Sequence, residues 1–600
     1  MNRAQRMRRI LLTAAVCAFA VASANAQAQD DVLGRAMRDE LARSKEKLRL
    51  AQLERPYFVA YRVHEAQGLH VSASCGSLLG GSESRARTLS VELRVGDYAF
   101  DNTNFFAASG FWIGFSRSSF GLGQLPLDDN YIEIRRQIWL ATDAAYKQAL
   151  EDLAGKRAAL KNKTRTENLA DFSKEDPTQT TDENPAVQLK RSDAEALVRD
   201  LSKLLSEMPD IYASTVSLRV SNSRTRYLNS EGSSYTDSRP LIALTANAST
   251  QATDGMPLGD SVEFYAMSFD SFPARDQLAT QIQDMGVRLE SLRKAPLLGR
   301  YNGPVLFEGR AAAELFSREF APALAAQRKP VSGNPEMEAV FERFSQQGES
   351  PFADKIGARV LPDFLSVVDN PTILQYGKNR LLGSYKVDDD GVRARETHLV
   401  ENGILKTFLT TRTPVEGATH STGNRRGAGA APSNLFVEVR KGPSESELRE
   451  QLVALVKKRG LEYGIVVRKI GGEPGATMEE QAMAVFKAMT GQAAGGKSIL
   501  VAFKIYLDGR EEFIRGAHLS GIRAESFKEI VAASKAATVY NTIQLPLRSS
   551  AMISSLAEEG MSMPIVSYVV PSLLFDDLTL TKPSGEMPKP PFSKPPVSAQ

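Results

Sequence analysis

Alternation of apolar and polar residues most narrows what this chain can fold into, and Leu89-Ser90-Val91-Glu92-Leu93-Arg94-Val95 shows it most plainly. A period of two sends successive side chains to opposite faces, so such segments predict half-buried antiparallel strands. The pattern runs through Tyr57 to Val71 and Arg87 to Phe100. It returns at Val216, Leu218 and Val220, and again from Ser233 to Thr245 after the turn residues Asn229-Ser230-Glu231-Gly232. Segments with helical spacing interleave with these: residues 31 to 52, Ile132 to Lys161, Ser192 to the approach of Pro209, and Ala274 to Arg293. Ser192-Asp193-Ala194-Glu195 has the spacing of a capping box, and Leu197, Leu201, Leu204 and Leu205 supply a buried stripe. The expected class is α+β, with largely antiparallel sheets flanked by helices.

Six hundred residues and 65.5 kDa exceed one hydrophobic core. Pro296 to Pro304 reads as a connection, placing an N-terminal α+β domain at 27–295 and a second domain at 296–581. A helix is expected at Gly309 to Ala326, with strands around Arg359 to Val368, Glu396 to Thr410 and Ile499 to Ile514. Ser444-Glu445-Ser446-Glu447 caps a further helix that Gly460 stops. Residues of about 102–130 and 162–190 read as insertions, the first a long loop and the second a mobile polar connection; 582–600 is a proline-rich tail.

Residues 1–26 carry Arg3, Arg6, Arg8 and Arg9 and no acid. They continue into the apolar run Ile10 to Ala22 and close on Ala24-Asn25-Ala26, the form of a cleavable secretory signal. Cleavage near Ala26 implies a periplasmic or secreted protein. Without those four arginines, 70 basic residues face 71 acidic ones, which offers no electrostatic footprint for nucleic acid. No later stretch approaches eighteen apolar residues, so no membrane span is expected after signal cleavage. Cys17 lies in the signal and leaves Cys75 alone, so no intrachain disulfide is expected; Cys75 reads as a small buried residue rather than a nucleophile.

Gly491-Gln492-Ala493-Ala494-Gly495-Gly496-Lys497-Ser498 matches the phosphate-loop pattern. Its context is inverted, however: Met478 to Met489 is helix-like and Ile499 to Ile505 strand-like, whereas phosphate cradling needs a strand before and a helix after. A flexible turn is expected there. On a strand, His64 and His70 stand about 20 Å apart, beyond the reach of one ion. His398, His420 and His518 are isolated, and no G-x-S-x-G elbow occurs.

Leu399 to Leu409, followed by Ser421-Thr422-Gly423-Asn424-Arg425-Arg426 and Pro432-Ser433-Asn434, strongly resembles the TldD/PmbA family, also called modulators of DNA gyrase. The likeness covers about 190 to 581. It takes in Asn229 to Gly232, the helix within Gly442 to Gly464, and the closing strands Pro571 to Phe575 and Leu578 to Leu580. The resemblance implies a two-domain metallopeptidase fold, often an assembly of two related subunits that encloses unfolded peptides. One subunit type holds zinc through H-E-x-x-x-H on the first helix of the C-terminal domain, with a cysteine near the C-terminus. Aligning Gly303-Pro304-Val305-Leu306 with the lead-in puts Phe307 and Ala312 at the histidine positions and keeps only Glu308; no cysteine follows Cys75.

A phenyl ring and a methyl group have no lone pair for a metal, so no zinc is expected. Glu308, the one remnant with catalytic character, would polarise water weakly without a Lewis acid, and otherwise reads as a solvated carboxylate in a helix's first turn. The pattern resembles the family's metal-free subunit. The expected function is a non-catalytic part in proteolysis of unfolded peptides, beside a homologous zinc-bearing subunit or as a homo-oligomer. Two alternatives stay open: a hydrolase with a relocated site, and a non-enzymatic protein that binds an extended peptide along exposed strand edges and the loop Gly423 to Ala431. The sequence assigns no peptide-binding residues.

Overall fold

The computed structural model describes residues 31–48, 53–106, 120–161, 168–332, 350–427, 429–471, 497–543, 564–583, 587–591 and 593. The alternating segments form its longest strands, β1 (Pro56–Ser74) and β2 (Ser77–Val95), an antiparallel pair. With β3 (Phe120–Gln124), β4 (Gln179–Glu183), β5 (Ala213–Asn229), β6 (Ser234–Gln251) and β7 (Pro257–Ala266) they make a seven-stranded sheet in the order β3-β2-β1-β5-β6-β4, β7 pairing with β6. Only β4 runs parallel to its neighbour among the described pairings of this sheet.

Four helices cover one face: α1 (Val32–Lys47), α2 (Tyr131–Leu160), α3 (Arg191–Ser206) and α4 (Arg275–Lys294). The odd-numbered residues of β1 explain the placement. Tyr61 and Val63 pack with Met37 of α1 and Ile134 and Ile138 of α2, and Val71 and Ala73 pack with Leu201 and Leu205 of α3. Full burial of each large aliphatic side chain contributes about 1.5–3 kcal/mol. The capping box expected at Ser192 is absent: α3 begins two residues earlier than that box requires, with Lys190 as its N-cap, so the Ser192 hydroxyl lies inside the first turn and meets Asp193 instead.

The opposite face departs from the sequence pattern in a way that matters for function. The polar alternates of β2 are not in solvent; Glu92 is 7% and Arg94 3% exposed. The second unit covers them.

That unit is an eleven-stranded sheet. Its strands are β8 (Tyr301–Phe307), β9 (Leu365–Asp369), β10 (Thr397–Glu401), β11 (Ile404–Leu405), β12 (Asn434–Val439), β13 (Tyr463–Ile470), β14 (Lys497–Tyr506), β15 (Glu511–Ile514), β16 (Ala517–Ser520), β17 (Ile530–Ile543) and β18 (Ile565–Thr581). Because β18 pairs with both β8 and β16, the path β18-β16-β14-β13-β8 closes on itself. Val305, Phe307, Ile465, Val467, Leu573 and Phe575 point to one face, under α5 (Arg310–Glu319), where Phe316, Phe320 and Phe527 join them. Their alternates Leu306, Val466 and Leu574 point to the other, against Leu448, Leu452 and Val456 of α6 (Glu445–Lys458). The Ser444 capping box is formed, with its hydroxyl accepting from the Glu447 N–H and the Glu447 carboxylate accepting from the Ser444 N–H.

Both expected insertions are partly built into the core. Asn102 is buried and its side chain accepts from the Val95 N–H at 2.8 Å. Asp171 and Phe172, within the expected mobile connection, are also buried. Composition could not reveal this, because the partners that fix them come from distant strands.

Candidate functional site

The β8–α5 junction holds the three positions singled out from the sequence. Phe307 is the last residue of β8, not a helical residue; it is fully buried and meets Phe575 edge-on, with ring centroids 5.6 Å apart. Ala312, two residues into α5, is equally buried. Between them Gly309 has φ 51° and ψ −115°, a conformation that a Cβ disfavours, and its N–H donates to the Ser572 hydroxyl at 2.9 Å.

Glu308 stands ahead of the helix, 12% exposed, and is not a solvated first-turn carboxylate. Arg449 of α6 donates to both of its oxygens, Nε to Oε1 at 2.5 Å and Nη2 to Oε2 at 2.8 Å, and Arg468 of β13 donates to Oε2 at 3.0 Å. The same two arginines reach Glu511, closing a ring of two cations and two anions. The Glu308 hydrogen bond raises the Arg449 pKa above its ordinary value. Glu308, Gly309, Glu445, Ser446 and Arg449 line an open hollow of about 340 Å³.

The zinc set that the resemblance implies does not fit these residues. Neither the phenyl ring nor the methyl group donates a lone pair, and the remaining carboxylate is engaged by two guanidiniums. Among the described residues no group of three or more His, Cys, Asp and Glu is arranged to hold a metal.

A second polar centre, which sequence reasoning missed, lies where the helix-free face of the first sheet meets loops of the second unit. Phe172 is sandwiched there, with the Arg94 guanidinium 3.6 Å and the Arg412 guanidinium 3.8 Å from its ring centroid. Arg412 also grips the Glu231 carboxylate at 2.6 and 2.9 Å and the Ser173 carbonyl at 3.0 and 2.6 Å. Asp171 receives Lys156 at 2.6 Å from one unit and Arg328 at 3.1 Å from the other. Nearby, the buried Asp388 carboxylate accepts from the backbone N–H groups of Asp390, Val392 and Arg425, each at 2.9 Å. Burial, with Asp390 beside it, pushes the Asp388 carboxyl well above the usual range. Burial acts on Glu92 in the same sense, but the Arg94 and Arg425 guanidiniums outweigh it and hold that carboxyl low. The one available sequence signal was the acidic run Asp388-Asp389-Asp390, which by itself reads as a solvated turn.

The residues that carried the family resemblance turn out to be ties between loops. Asp369, at the end of β9, accepts from the Ser433 N–H and hydroxyl at 2.8 Å each and from the Asn424 amide at 2.7 Å. Asn434 donates to the Ile373 carbonyl and accepts from the Gly383 N–H. Asn229 performs the same service in the β5–β6 turn, its Oδ1 accepting from three successive N–H groups, Glu231 to Ser233. The loop Gly423 to Ala431, expected to offer strand edges to a peptide, folds on itself: Arg425–Arg426 pairs with Gly429–Ala430, and Asp389 holds the Gly427 N–H.

His64 and His70 lie on one strand, β1, and His64 meets Thr225. Cys75 is exposed, not buried; it sits in the β1–β2 turn with φ 48°, where a tight hairpin forces the chain outward. Residues 1–26, Gly491–Gly496, Met478–Met489 and most of the tail lie outside the described residues, and Lys497-Ser498 opens β14. Among the described residues no helix is long and apolar enough to cross a membrane.

Comparison with known proteins agrees with this architecture. Residues 183–290 match the family model described as the PmbA/TldA metallopeptidase central domain, and 299–582 match the PmbA/TldA metallopeptidase C-terminal domain. The chain is similar to a metalloprotease of Methanocaldococcus jannaschii, 43% identical over 98 residues, which are 15% of this chain and 21% of that protein. It is also similar to a metalloprotease of Methanothermobacter thermautotrophicus, 26% identical over 264 residues, 42% of this chain and 51% of the other. The matches thus span about half or less of these relatives' length. By fold it is similar to TldE from Thermococcus kodakarensis, with a TM-score of 0.55 at 14% identity, covering 91% of this chain and 100% of that one.

Proposed function

The chain belongs to the TldD/PmbA metallopeptidase family, and from that premise we propose that it is an exported, non-catalytic member. It lends its walls to a peptide-degrading assembly in which a homologous zinc-bearing subunit cuts. One observation carries the reading: where the family's metal motif would stand, the only donor side chain, Glu308, already accepts from Arg449 and Arg468, and Phe307 and Ala312 on either side are sealed in the core. A carboxylate saturated by guanidiniums is a poor general base, because abstracting a proton would cost both ion pairs.

What the geometry supports instead is a rigid partner. Glu308 ties β8, α6 and β13 together, and the buried charges around Arg412 fix the two units against each other. The signal-like residues 1–26 support export to the periplasm or beyond. Unfolded peptide would be the substrate of the assembly rather than of this chain alone.

The test is purification from the native cell envelope, with metal analysis and digestion of an unfolded protein by the chain with and without its co-purifying partner. The expected result is no stoichiometric zinc, no cleavage alone, and a partner bearing H-E-x-x-x-H whose cleavage is chelator-sensitive. Chelator-sensitive cleavage by the isolated chain would overturn the proposal.

A further inference from the structure

On the far side of the Glu231–Arg412 pair lies a hollow of about 430 Å³, formed where five stretches of chain converge. Lys45 comes from the last turn of α1, Pro56, Tyr57 and Val59 from the start of β1, Tyr98 from the chain after β2, Lys174, Glu175 and Pro177 from the segment following Phe172, and Ser230 and Glu231 from the β5–β6 turn. That volume is in the range of small-molecule sites. From its chemistry we propose that this hollow binds a small ligand with a carboxylate and a planar aromatic body.

The walls are preformed. Ser230 is locked to Val59 in both directions, N–H to carbonyl at 2.8 Å and hydroxyl from the Val59 N–H at 3.0 Å. Tyr57 donates to Asp101 at 2.7 Å and Tyr98 to Glu231 at 2.6 Å, so both hydroxyl protons are used and the tyrosines offer chiefly ring surface. Those rings lie 4.9 Å apart at their centroids, with Pro56, Val59 and Pro177 beside them in the lining. Aromatic and prolyl surfaces of this kind favour a flat apolar body.

The polar groups are unequally satisfied, and the imbalance favours an anionic ligand. Glu231 is covered by Arg412 and Tyr98, and Glu175 accepts on Oε1 from the Ser173 hydroxyl at 2.7 Å and the Ser421 N–H at 3.0 Å, with His420 3.6 Å from the same oxygen. Beside the second Glu175 oxygen, the groups left over are two ammonium donors. Lys45 uses one proton on the Ser230 carbonyl at 3.1 Å, and Lys174 makes no hydrogen bond or ion pair to any described residue. A ligand that brings acceptors can take the place of water on both ammonium groups, and a carboxylate does so. A free aromatic acid and the last residue of a peptide ending in an aromatic side chain share this chemistry.

Isothermal titration of the full chain with N-acetyl-L-phenylalanine tests the site, with N-acetyl-L-phenylalaninamide, acetate and Ala-Ala-Phe as comparators. One saturable site per chain is expected, with affinity about tenfold weaker for the amide, and about tenfold weaker for the acid in the double variant Lys45→Ala, Lys174→Ala. Both lysines are exposed, and an unchanged thermal midpoint checks that the variant is folded. Tighter binding of Ala-Ala-Phe than of the single residue assigns the site to peptide ends; the reverse assigns it to free acids. Absence of saturable binding, equal affinity for the amide, or indifference to the double variant would each refute the proposal.

Discussion

Replacing Asp369 by asparagine should change how stability depends on pH, in a direction and by an amount the structure dictates. Asp369 is fully buried, and burial pushes its carboxyl up from the ordinary 3.8 to about 6, against the opposing hydrogen bonds from Ser433 and Asn424. The unfolded carboxyl keeps the ordinary value. Between pH 3.8 and pH 6 the folded chain therefore holds a proton that the unfolded chain has released. The stability contributed by this group is complete below the lower value and is lost as pH rises toward the upper one. A difference of about two pH units is worth about 3 kcal/mol. The amide can be accommodated, because Asn424 Oδ1 is buried without a partner, and a flip of that side chain would turn an acceptor toward the new NH2 group. Urea midpoints followed by far-UV circular dichroism from pH 4 to pH 7, on both proteins, isolate the effect from the other carboxylates. The variant should gain about 2–2.5 kcal/mol relative to the parent between pH 4 and pH 7, most of the full difference. Parallel curves would show that Asp369 does not hold its proton and that the reasoning about its burial is wrong.

Arg412→Ala removes the cation from Glu231, Ser173 and Phe172 together and leaves a carboxylate that is only 13% exposed; a loss of about 3–5 kcal/mol is expected in chemical unfolding, and a loss below 1 would contradict the assigned geometry. The double change Phe307→His, Ala312→His, which writes the missing imidazoles back, should lower the thermal midpoint without recruiting zinc: the ring at 312 overpacks a closed core, at about 1–3 kcal/mol, and the smaller, polar ring at 307 is buried without a partner; stoichiometric zinc by atomic emission would refute this. Ser444→Ala should cost about 1 kcal/mol through the lost cap of α6, while Ser192→Ala, whose hydroxyl caps nothing, should be close to neutral by the same thermal assay.

Local rules carried far where local physics decides. The odd residues of Leu89 to Val95 bury against helices because a strand has period two, and the Ser444 box closes because its partners lie three residues apart. The same rules failed where a partner comes from elsewhere. Ser192 sits at a box spacing, but the helix start is set two residues earlier; Cys75, apolar by type, is pushed out by a hairpin tip. The site positions were legible as letters, since no fold turns Phe307 or Ala312 into a metal ligand, but the occupation of Glu308 by Arg449, 141 residues away, was not.

The class of fold, the strands and helices with a clear period, and the chemical incapacity of Phe307 and Ala312 as ligands were readable from the chain, because they follow from side-chain type and near-neighbour spacing. Burial of the first sheet's polar face, the grip of two guanidiniums on Phe172, and which lysines kept donors to spare came from long-range packing. Those outcomes depend on surfaces brought together across hundreds of residues, where the balance of desolvation and pairing is struck by geometry that no local pattern contains.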